Sequence, residues 1–257
     1  MRNIFVIALL AGVILTGCKN DDNPAATGES GQMQVTMVDA PAAAYDSIMI
    51  TVLRVEIHSS SAADTEGWIT LENRARTYNL LSLVNGTEAV IGDASIATGT
   101  YTQMRLVLGD SCYVYSNGMA VALKVPSSEI KLNLNATIEA NATLKIVLDF
   151  DATRSLVTTS AGMILKPVIK VLSTTNVGYI EGSLNTKASV MAVANGDTLS
   201  TVTGSNNSFK IMYAKPGTYD LTILSASIMY YDTTLTNISV VSGQTTNVGM
   251  ITLRSKL

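Results

Sequence analysis

The chain has 257 residues, of which 47% are hydrophobic and 14% are charged, and its formal net charge at pH 7 is −3. This composition excludes an intrinsically disordered chain, which combines low hydrophobicity with high net charge. No cluster of Lys and Arg occurs along the sequence, so nucleic acid is not predicted as a partner. The length suffices for one or two domains with a substantial core.

Residues 1–17 have the pattern of an export signal. Arg2 gives a positive start, and residues 4–14 form an unbroken run of apolar and small residues. The run is too short to cross a bilayer as a helix, which takes about 20 apolar residues. The ending Leu15-Thr16-Gly17-Cys18 resembles the lipobox of bacterial lipoproteins. The resemblance implies a diacylglyceryl group on the Cys18 thiol and cleavage before Cys18, whereas an ordinary signal peptide that contains a cysteine is the alternative.

Residues 18–32 are predicted to form a flexible, lipidated tether, because they are rich in small and polar residues and lack an apolar period. The start Cys18-Lys19-Asn20-Asp21-Asp22 is similar to the acidic export signals of surface lipoproteins in the Bacteroidetes. That similarity implies an outer-membrane lipoprotein exposed at the cell surface. Two alternatives stay open: the acidic residues only solvate a linker, or the protein faces the periplasm.

From Met33 onward the sequence alternates with a period of two. Segments 47–57, 101–108 and 143–150 are dense in β-branched residues, and turn signals such as Asn85-Gly86 separate them. Many short strands with regular turns predict an all-β chain. We expect two β-sandwich-like domains, with a helical segment of a turn or two near residues 78–83.

A polar seam at residues 173–176 divides the β-rich sequence. It predicts a first domain over 33–172 and a second over 177–257. In the second domain, Asn195-Gly196-Asp197 predicts a hairpin and Lys215-Pro216-Gly217 a tight turn. About 80 residues with some seven strands is the size of a small sandwich.

A series of short motifs runs in order through the first domain. They are Val38-Asp39-Ala40-Pro41, Tyr45-Asp46, Gly67-Trp68, Tyr78-Asn79-Leu80-Leu81, Gly99-Thr100-Tyr101, Leu148-Asp149-Phe150-Asp151-Ala152 and Leu165-Lys166-Pro167-Val168. In this order the motifs resemble a bacterial family of unknown function, DUF4382. The family label carries no established activity, so the resemblance implies a folding unit and not a reaction.

The second domain has motifs of its own. The segment 178–184, the pair Ser208-Phe209 and the run Pro216-Gly217-Thr218-Tyr219 resemble the opening strand and central hairpin of the carboxypeptidase regulatory-like, or transthyretin-like, β-sandwich. The resemblance implies a spacer or docking module without catalysis.

Candidate catalytic groups are few, and no catalytic residue is assigned. His58 is the single histidine, which rules out a zinc site with several histidines. It is expected at the surface or at a strand end. Ser111 follows Gly109-Asp110 as in some serine hydrolases, but it lies in a β-rich run and not at a strand-to-helix elbow. Cys112 is predicted to be a small buried residue. Trp68 is interpreted as a core residue in preference to a platform for sugar rings.

Asp39, Asp149 and Asp151 are the remaining candidate site residues. Asp149 and Asp151 are two positions apart, so in a strand they share a face. A structural role is preferred, either in ion pairs with Arg105, Arg154 or Lys166 or in capping turn amides. Ca²⁺ bound through oxygen ligands is an alternative, and a paired-carboxylate glycosidase is a third. Beyond the lipid on Cys18 no cofactor is predicted, and the metal stays unassigned.

Together these features predict a non-catalytic, lipid-anchored protein of the cell envelope with a structural or binding role at the outer membrane. The lipid anchor makes the membrane one partner, and a protein or a glycan at the surface is the other candidate. The alternative is a pilus-type (fimbrial) subunit or adhesin that assembles by β-strand addition. An enzyme that acts on surface polysaccharide is the third hypothesis.

Overall fold

The computed structural model describes residues 28–39, 45–63, 66–172, 174–194 and 196–257. The predicted export signal, the lipobox Leu15-Thr16-Gly17, the lipidation site Cys18 and most of the predicted tether lie outside these residues. Within them, no helix has the length and apolar character needed to cross a membrane.

The chain is built almost entirely from strands, with 65% of residues in strands and 3% in helix. The prediction of an all-β chain with β-sandwich-like domains is therefore confirmed. The elements of the first half are β1 (Ser30–Asp39), β2 (Ser47–Ser59), β3 (Trp68–Glu72), β4 (Arg76–Asn79), a 3-10 turn (Leu80–Ser82), β5 (Ala89–Ala97), β6 (Gly99–Leu108), β7 (Tyr113–Ser116), β8 (Met119–Lys124), β9 (Glu129–Ile138), β10 (Thr143–Phe150), α1 (Ala152–Ser155), β11 (Leu156–Thr159), β12 (Gly162–Leu165) and β13 (Ile169–Leu172). The second half contains β14 (Gly178–Leu184), β15 (Ala188–Ala194), β16 (Asp197–Val202), β17 (Ser208–Ala214), β18 (Gly217–Ser225), β19 (Thr233–Val240) and β20 (Thr245–Ile251).

In the first domain, a sheet with the strand order β13-β10-β1-β5 faces a larger sheet with the order β11-β12-β8-β7-β2-β6-β9. Alternate residues of each sheet point inward, since successive side chains of a strand point to opposite faces. Met33 and Met37 of β1 meet Ile48 and Ile50 of β2 in one buried core. β1 and β10 are parallel neighbours, while β5 and β13 run antiparallel to them.

The second domain also consists of two facing sheets, with fewer strands in total. A sheet with the order β17-β14-β20 faces one with the order β16-β15-β18-β19. Ile180, Val190, Phe209 and Leu221 fill a separate core between them. β15 and β16 are antiparallel neighbours with Ala194 opposite Asp197, and Asn195 of the predicted hairpin turn lies outside the described residues.

The first strand begins at Ser30, three residues before the predicted start of the first domain at Met33. The reason is that Ser30 to Gln32 already pair with β5, and Gly31 is buried against the turn after β9. The predicted helical segment is a single 3-10 turn, Leu80–Ser82, where the Asn79 side chain accepts a bond from the Leu81 amide.

Gly31 is expected to tolerate no side chain. A Cβ at this position would overlap the carbonyl oxygen of Glu139 and lie 2.9 Å from that of Ala142, and backbone atoms cannot move aside as a flexible side chain can. We predict that Gly31→Ala lowers the free energy of unfolding by about 1–3 kcal/mol, measured by urea denaturation. Gly28→Ala is the matched control, because nothing lies within 4 Å of that site, and an equal loss in both variants would contradict the assignment.

Candidate functional site

The second domain packs on the outer face of the sheet that contains β1 and β10. The inward residues of these strands fill the first core, which leaves Val38 and Val147 facing away from it. Both pack in a separate apolar cluster with Val177 and Tyr213, residues that belong to the second domain. The outer face of the sheet is therefore an interface between the domains.

Tyr213 is the residue that joins the two domains most closely. Its backbone has φ of +60°, which is uncommon for a residue with a large side chain. The register between β14 and β17 shifts nearby, so β17 turns the Tyr213 ring out of its own sandwich and toward the first domain. There the Tyr213 hydroxyl donates a hydrogen bond to Glu88, which also forms an ion pair with Lys145.

This contact is shielded from water. Tyr213 is 7% exposed, and burial together with the bond to Glu88 raises the pKa of its phenol above the ordinary value. The hydroxyl thus stays a donor across the physiological pH range. The Lys145 ammonium lies 5.7 Å from the Tyr213 ring centroid, so one carboxylate, one cation and one ring form a compact group.

Asn85 supplies a second set of contacts. Its amide N–H donates to the Thr201 hydroxyl at 3.0 Å, its side-chain nitrogen to the Ser208 carbonyl at 3.3 Å, and its side-chain oxygen accepts from the Lys210 amide at 2.6 Å. Asn85 can reach all of these groups because it stands in a turn with φ of +56°. The Asn-Gly signal at this position thus marks an interdomain contact as well as a turn.

A cleft of about 450 Å³ lies beside these contacts. Asp39, Asp149 and Asp151 line it from the first domain, while Asp197 and Lys210 line it from the second. The structure therefore brings together the three carboxylates that the sequence singled out. In the described part of the chain, no group of three or more His, Cys, Asp or Glu side chains is arranged to hold a metal ion.

Two of the three carboxylates bind the backbone at the start of α1. Asp39 is buried, and its Oδ1 accepts a hydrogen bond from the Ala152 amide at 2.9 Å. Asp151 caps the same helix by accepting from the Arg154 amide at 2.9 Å, and its other oxygen lies 3.8 Å from the Arg154 guanidinium. These carboxylates thus tie the end of β1 to the end of β10.

Asp149 differs, because its charge is unfavourable. Burial, followed by the neighbouring negative charge of Asp151, raises its pKa from 3.8 to about 6. Lys170 stands directly opposite Asp149 in the ladder between β10 and β13 and opposes this rise. The Lys170 ammonium, however, pairs with Asp197 of the second domain at 2.8 Å.

Arg105 is not the partner of the cleft carboxylates. It pairs with Glu56 at 2.7 Å, and its guanidinium lies over the Trp68 ring at 4.3 Å. One face of the Trp68 ring is therefore occupied by a cation.

The remaining candidates have structural surroundings. His58 lies at the end of β2, which is one of the two expected places, but it is buried. Its ring packs edge-on against Trp68 at 5.0 Å, and its Nε2 lies 2.9 Å from the Ala63 carbonyl oxygen. Cys112 is fully buried, burial raises the pKa of its thiol, and Sγ donates to the Gly109 carbonyl at 3.3 Å. The Ser111 carbonyl accepts from the Thr51 hydroxyl, in a loop between strands.

The sequence does not predict the contact of Tyr213 with Glu88 and Lys145. Tyr213 and Glu88 are 125 residues apart, and no local pattern connects them. One signal was present: Tyr213 and Ala214 are buried in succession at the end of β17, where the run Ile-Met-Tyr-Ala breaks the alternation of polar and apolar residues. An apolar run at a strand end indicates burial on both faces.

Removing the Tyr213 hydroxyl should weaken the interface. We predict that Tyr213→Phe lowers the free energy of unfolding by about 1–3 kcal/mol, because a half-buried carboxylate loses a hydrogen bond. The effect should be non-additive with Glu88→Gln in a double-mutant cycle, by at least about 0.5 kcal/mol. Tyr219→Phe is the control, since that hydroxyl donates to Lys215 within the second domain, and its effect should add to that of Glu88→Gln. Additivity of Tyr213→Phe would refute the link.

Asp149 should destabilise the fold at neutral pH. Its folded-state pKa lies above the ordinary value, so between about pH 4 and 6 the folded chain binds more protons here than the unfolded chain, and this site's contribution falls as the pH rises. We predict that Asp149→Asn raises the free energy of unfolding at pH 7 by up to about 3 kcal/mol, and that the gain disappears below about pH 4. Urea denaturation at several pH values measures it. A less stable Asn variant at pH 7 would show that Lys170 makes the charge favourable.

Known proteins similar to this chain were found among family models and solved structures. Comparison with curated sequences yields no match. Among solved structures, the chain is similar to the Bacillus anthracis TIE protein (10% identity, 88% of this chain and 34% of that chain, TM-score 0.24). It is also similar to the minor pilin GBS52 of Streptococcus agalactiae (13% identity, 88% of this chain and 97% of that chain, TM-score 0.24). A third similar structure is the shaft pilin SpaA of Lactobacillus rhamnosus GG (8% identity, 90% of this chain and 100% of that chain, TM-score 0.23). TM-scores at this level do not establish a common fold.

The family model described as "Domain of unknown function (DUF4382)" matches residues 30–167, which is more than half of the chain. The match covers β1 to β12 and includes Asp149 and Asp151 of the cleft. It confirms the resemblance that the ordered motifs predict. The chain therefore belongs to the DUF4382 family.

Proposed function

We propose that this chain is a non-catalytic, lipid-anchored protein of the cell envelope, in which the DUF4382 domain and the second β-sandwich act as one structural or binding unit at the outer membrane. The observation that carries the proposal is the interface built around Tyr213. A tyrosine held in an uncommon backbone conformation, with its hydroxyl buried on a carboxylate of the other domain, serves no purpose if the domains move independently.

The interface combines an apolar centre with polar contacts around it. An apolar cluster of Val38, Val147 and Val177 lies at its centre, and the hydrogen-bonded groups around Asn85 and Glu88 surround it. The pair of Lys170 and Asp197 crosses the cleft at one side. Several independent contacts fix rotation as well as distance, which is what a unit that transmits or presents a surface requires.

The direction of β1 is compatible with an anchor at the end of this strand that lies away from the cleft. β1 starts at Ser30 and ends at Asp39, beside the cleft. About 12 residues separate the lipobox cysteine from Ser30, and they span at most about 40 Å when extended. In this arrangement the first domain stays close to the membrane, and the second domain lies on its far side, where a partner can reach it.

The second sandwich fits a presenting role. We propose that it is a transthyretin-like, carboxypeptidase regulatory-like module, on the basis of its opening strand β14 and the hairpin of β17 and β18. Its surface partner is a protein or a glycan. On this view the cleft carboxylates Asp39 and Asp151 organise the junction and do not act on a substrate.

Lipid attachment tests the anchor. Cys18→Ser removes the acceptor thiol, so we predict loss of metabolic labelling by a clickable palmitate analogue and loss of the processed protein from the membrane fraction. Lys19→Ala is the matched control, because it leaves the lipobox intact and should keep the label. Protease treatment of intact cells then tests surface exposure. Label retained after Cys18→Ser refutes the anchor, and a ladder of covalent or detergent-resistant multimers on gels favours the pilus-type alternative.

A further inference from the structure

Asp149 lies on the face of its sheet that the second domain covers. Val147 is two positions before it in β10, so both side chains point to the same side of the strand. Val147 is fully buried in the apolar cluster with Val177 and Tyr213 of the second domain. Asp149 lines the cleft beside this cluster, together with Asp197 of the second domain. Docking of the second domain therefore removes water from the Asp149 carboxylate and brings a negative charge near it.

Lys170 is a cation that both of these carboxylates attract. It stands opposite Asp149 in the ladder between β10 and β13, and side chains that stand opposite one another in a ladder lie on the same face. The Lys170 ammonium donates a hydrogen bond to Asp197 at 2.8 Å. Its attraction for Asp149 opposes the rise of that residue's pKa but does not cancel it. One cation is thus shared between a carboxylate of its own domain and a carboxylate of the other.

The other charged groups that the first domain places at the cleft have partners. Asp39, at the end of β1, accepts a hydrogen bond from a backbone amide of α1, and Asp151 accepts one from the Arg154 amide. The Arg154 guanidinium lies 3.8 Å from Asp151. At Asp149, by contrast, burial and the like charge of Asp151 outweigh the attraction of the neighbouring cation.

The second domain faces the cleft with groups of both signs. The hydrogen bond from Lys170, and next the charge of Lys215, lower the pKa of Asp197, so Asp197 stays ionised in weakly acidic solution. Lys210 of β17 lies 4.0 Å from a carboxylate of its own domain. The Tyr213 phenol stays neutral, because burial raises its pKa. The charge of Asp197 is therefore constant while the charge of Asp149 changes.

We infer that this cleft makes the docking of the two domains responsive to pH, because protonation of Asp149 strengthens docking and loss of that proton weakens it. When Asp149 is neutral, its repulsion of Asp197 disappears and Lys170 is left to Asp197. When Asp149 is charged, the two carboxylates repel one another and compete for one cation. The device consists of three side chains, two from the first domain and one from the second.

The direction follows from the linkage between proton binding and docking. In the docked arrangement the pKa of Asp149 is raised from 3.8 to about 6. Separation of the domains returns water to this carboxylate and removes Asp197, which lowers the pKa again. The docked arrangement therefore binds the proton more tightly, and docking weakens as the pH rises from about 4 to about 6. If docking causes the whole shift, the docking equilibrium falls about tenfold between pH 5 and pH 7.5.

Hydrogen exchange of two interdomain amides, followed by NMR, measures docking in the soluble chain, residues 18–257 with Cys18→Ser. The Asn85 amide donates to a hydroxyl of the second domain, and the Lys210 amide donates to the Asn85 side chain. The Val190 amide belongs to β15, which has neighbours on both sides, and reports unfolding of the second domain itself. Relative to Val190, protection at Asn85 and Lys210 should fall about three- to tenfold from pH 5 to pH 7.5, after correction for the intrinsic exchange rates. This inference goes beyond the proposed function, and its test does not depend on the lipid.

Three variants identify the groups responsible. Asp149→Asn should keep protection at its pH 5 level throughout, because an amide has no proton to lose in this range. Asp197→Asn should reduce the fall by a separate route, since it removes the charge that Asp149 repels. Asp93→Asn is the matched control, because Asp93 is an exposed carboxylate on β5 of the same sheet and does not line the cleft, and it should keep the fall of the parent chain.

Three results overturn the inference. The first is protection at Asn85 and Lys210 that does not fall relative to Val190 between the two pH values. The second is a fall that persists unchanged in Asp149→Asn. The third is exchange of all three amides at one common rate, which would show that the domains separate only when the chain unfolds.

Discussion

Tyr213 holds a backbone conformation that residues with a Cβ seldom adopt, and the relation between the two domains depends on it. With φ of +60°, β17 departs from regular pairing and presents the ring to the first domain. Such a conformation costs on the order of 1–3 kcal/mol and persists only when the surroundings determine it. Here the surroundings are Glu88, Lys145 and the apolar cluster with Val38. The strain of one domain is thus offset by contacts with the other, which makes the two interdependent.

The charges in the cleft follow from the same packing. Seating the second domain on the outer face of the sheet removes water from Asp149 and draws the Lys170 ammonium toward Asp197. Asp39 and Asp151 avoid this conflict because backbone amides receive their oxygens. Three carboxylates in one cleft therefore have two different roles. Two of them fix the junction of β1, β10 and α1, and the third carries an electrostatic cost of the interface.

The strands and the first domain's family could be predicted from the sequence, since both depend on local patterns. Alternation marks strands such as β2 and β10, and the ordered motifs identify the DUF4382 domain. The parallel pairing of β1 with β10 could not be predicted, because more than 100 residues separate the partners. The burial of His58 could not be predicted for a similar reason, since its neighbour Trp68 belongs to another strand. The spacing identified Asp149 and Asp151, and Arg154, one of the predicted partners, does lie beside Asp151. Arg105 does not, because it lies on the other sheet with Glu56.

The direction of β1 also determines how the chain carries load. Under the proposed lipid anchorage, tension that enters the chain before Ser30 acts along the axis of β1. β1 is paired along its length with β10 on one side and β5 on the other. A pull in this direction slides the strands past one another, so the hydrogen bonds of both ladders resist together and do not open one after another. Tension along β1 is thus shared between two ladders of the first domain.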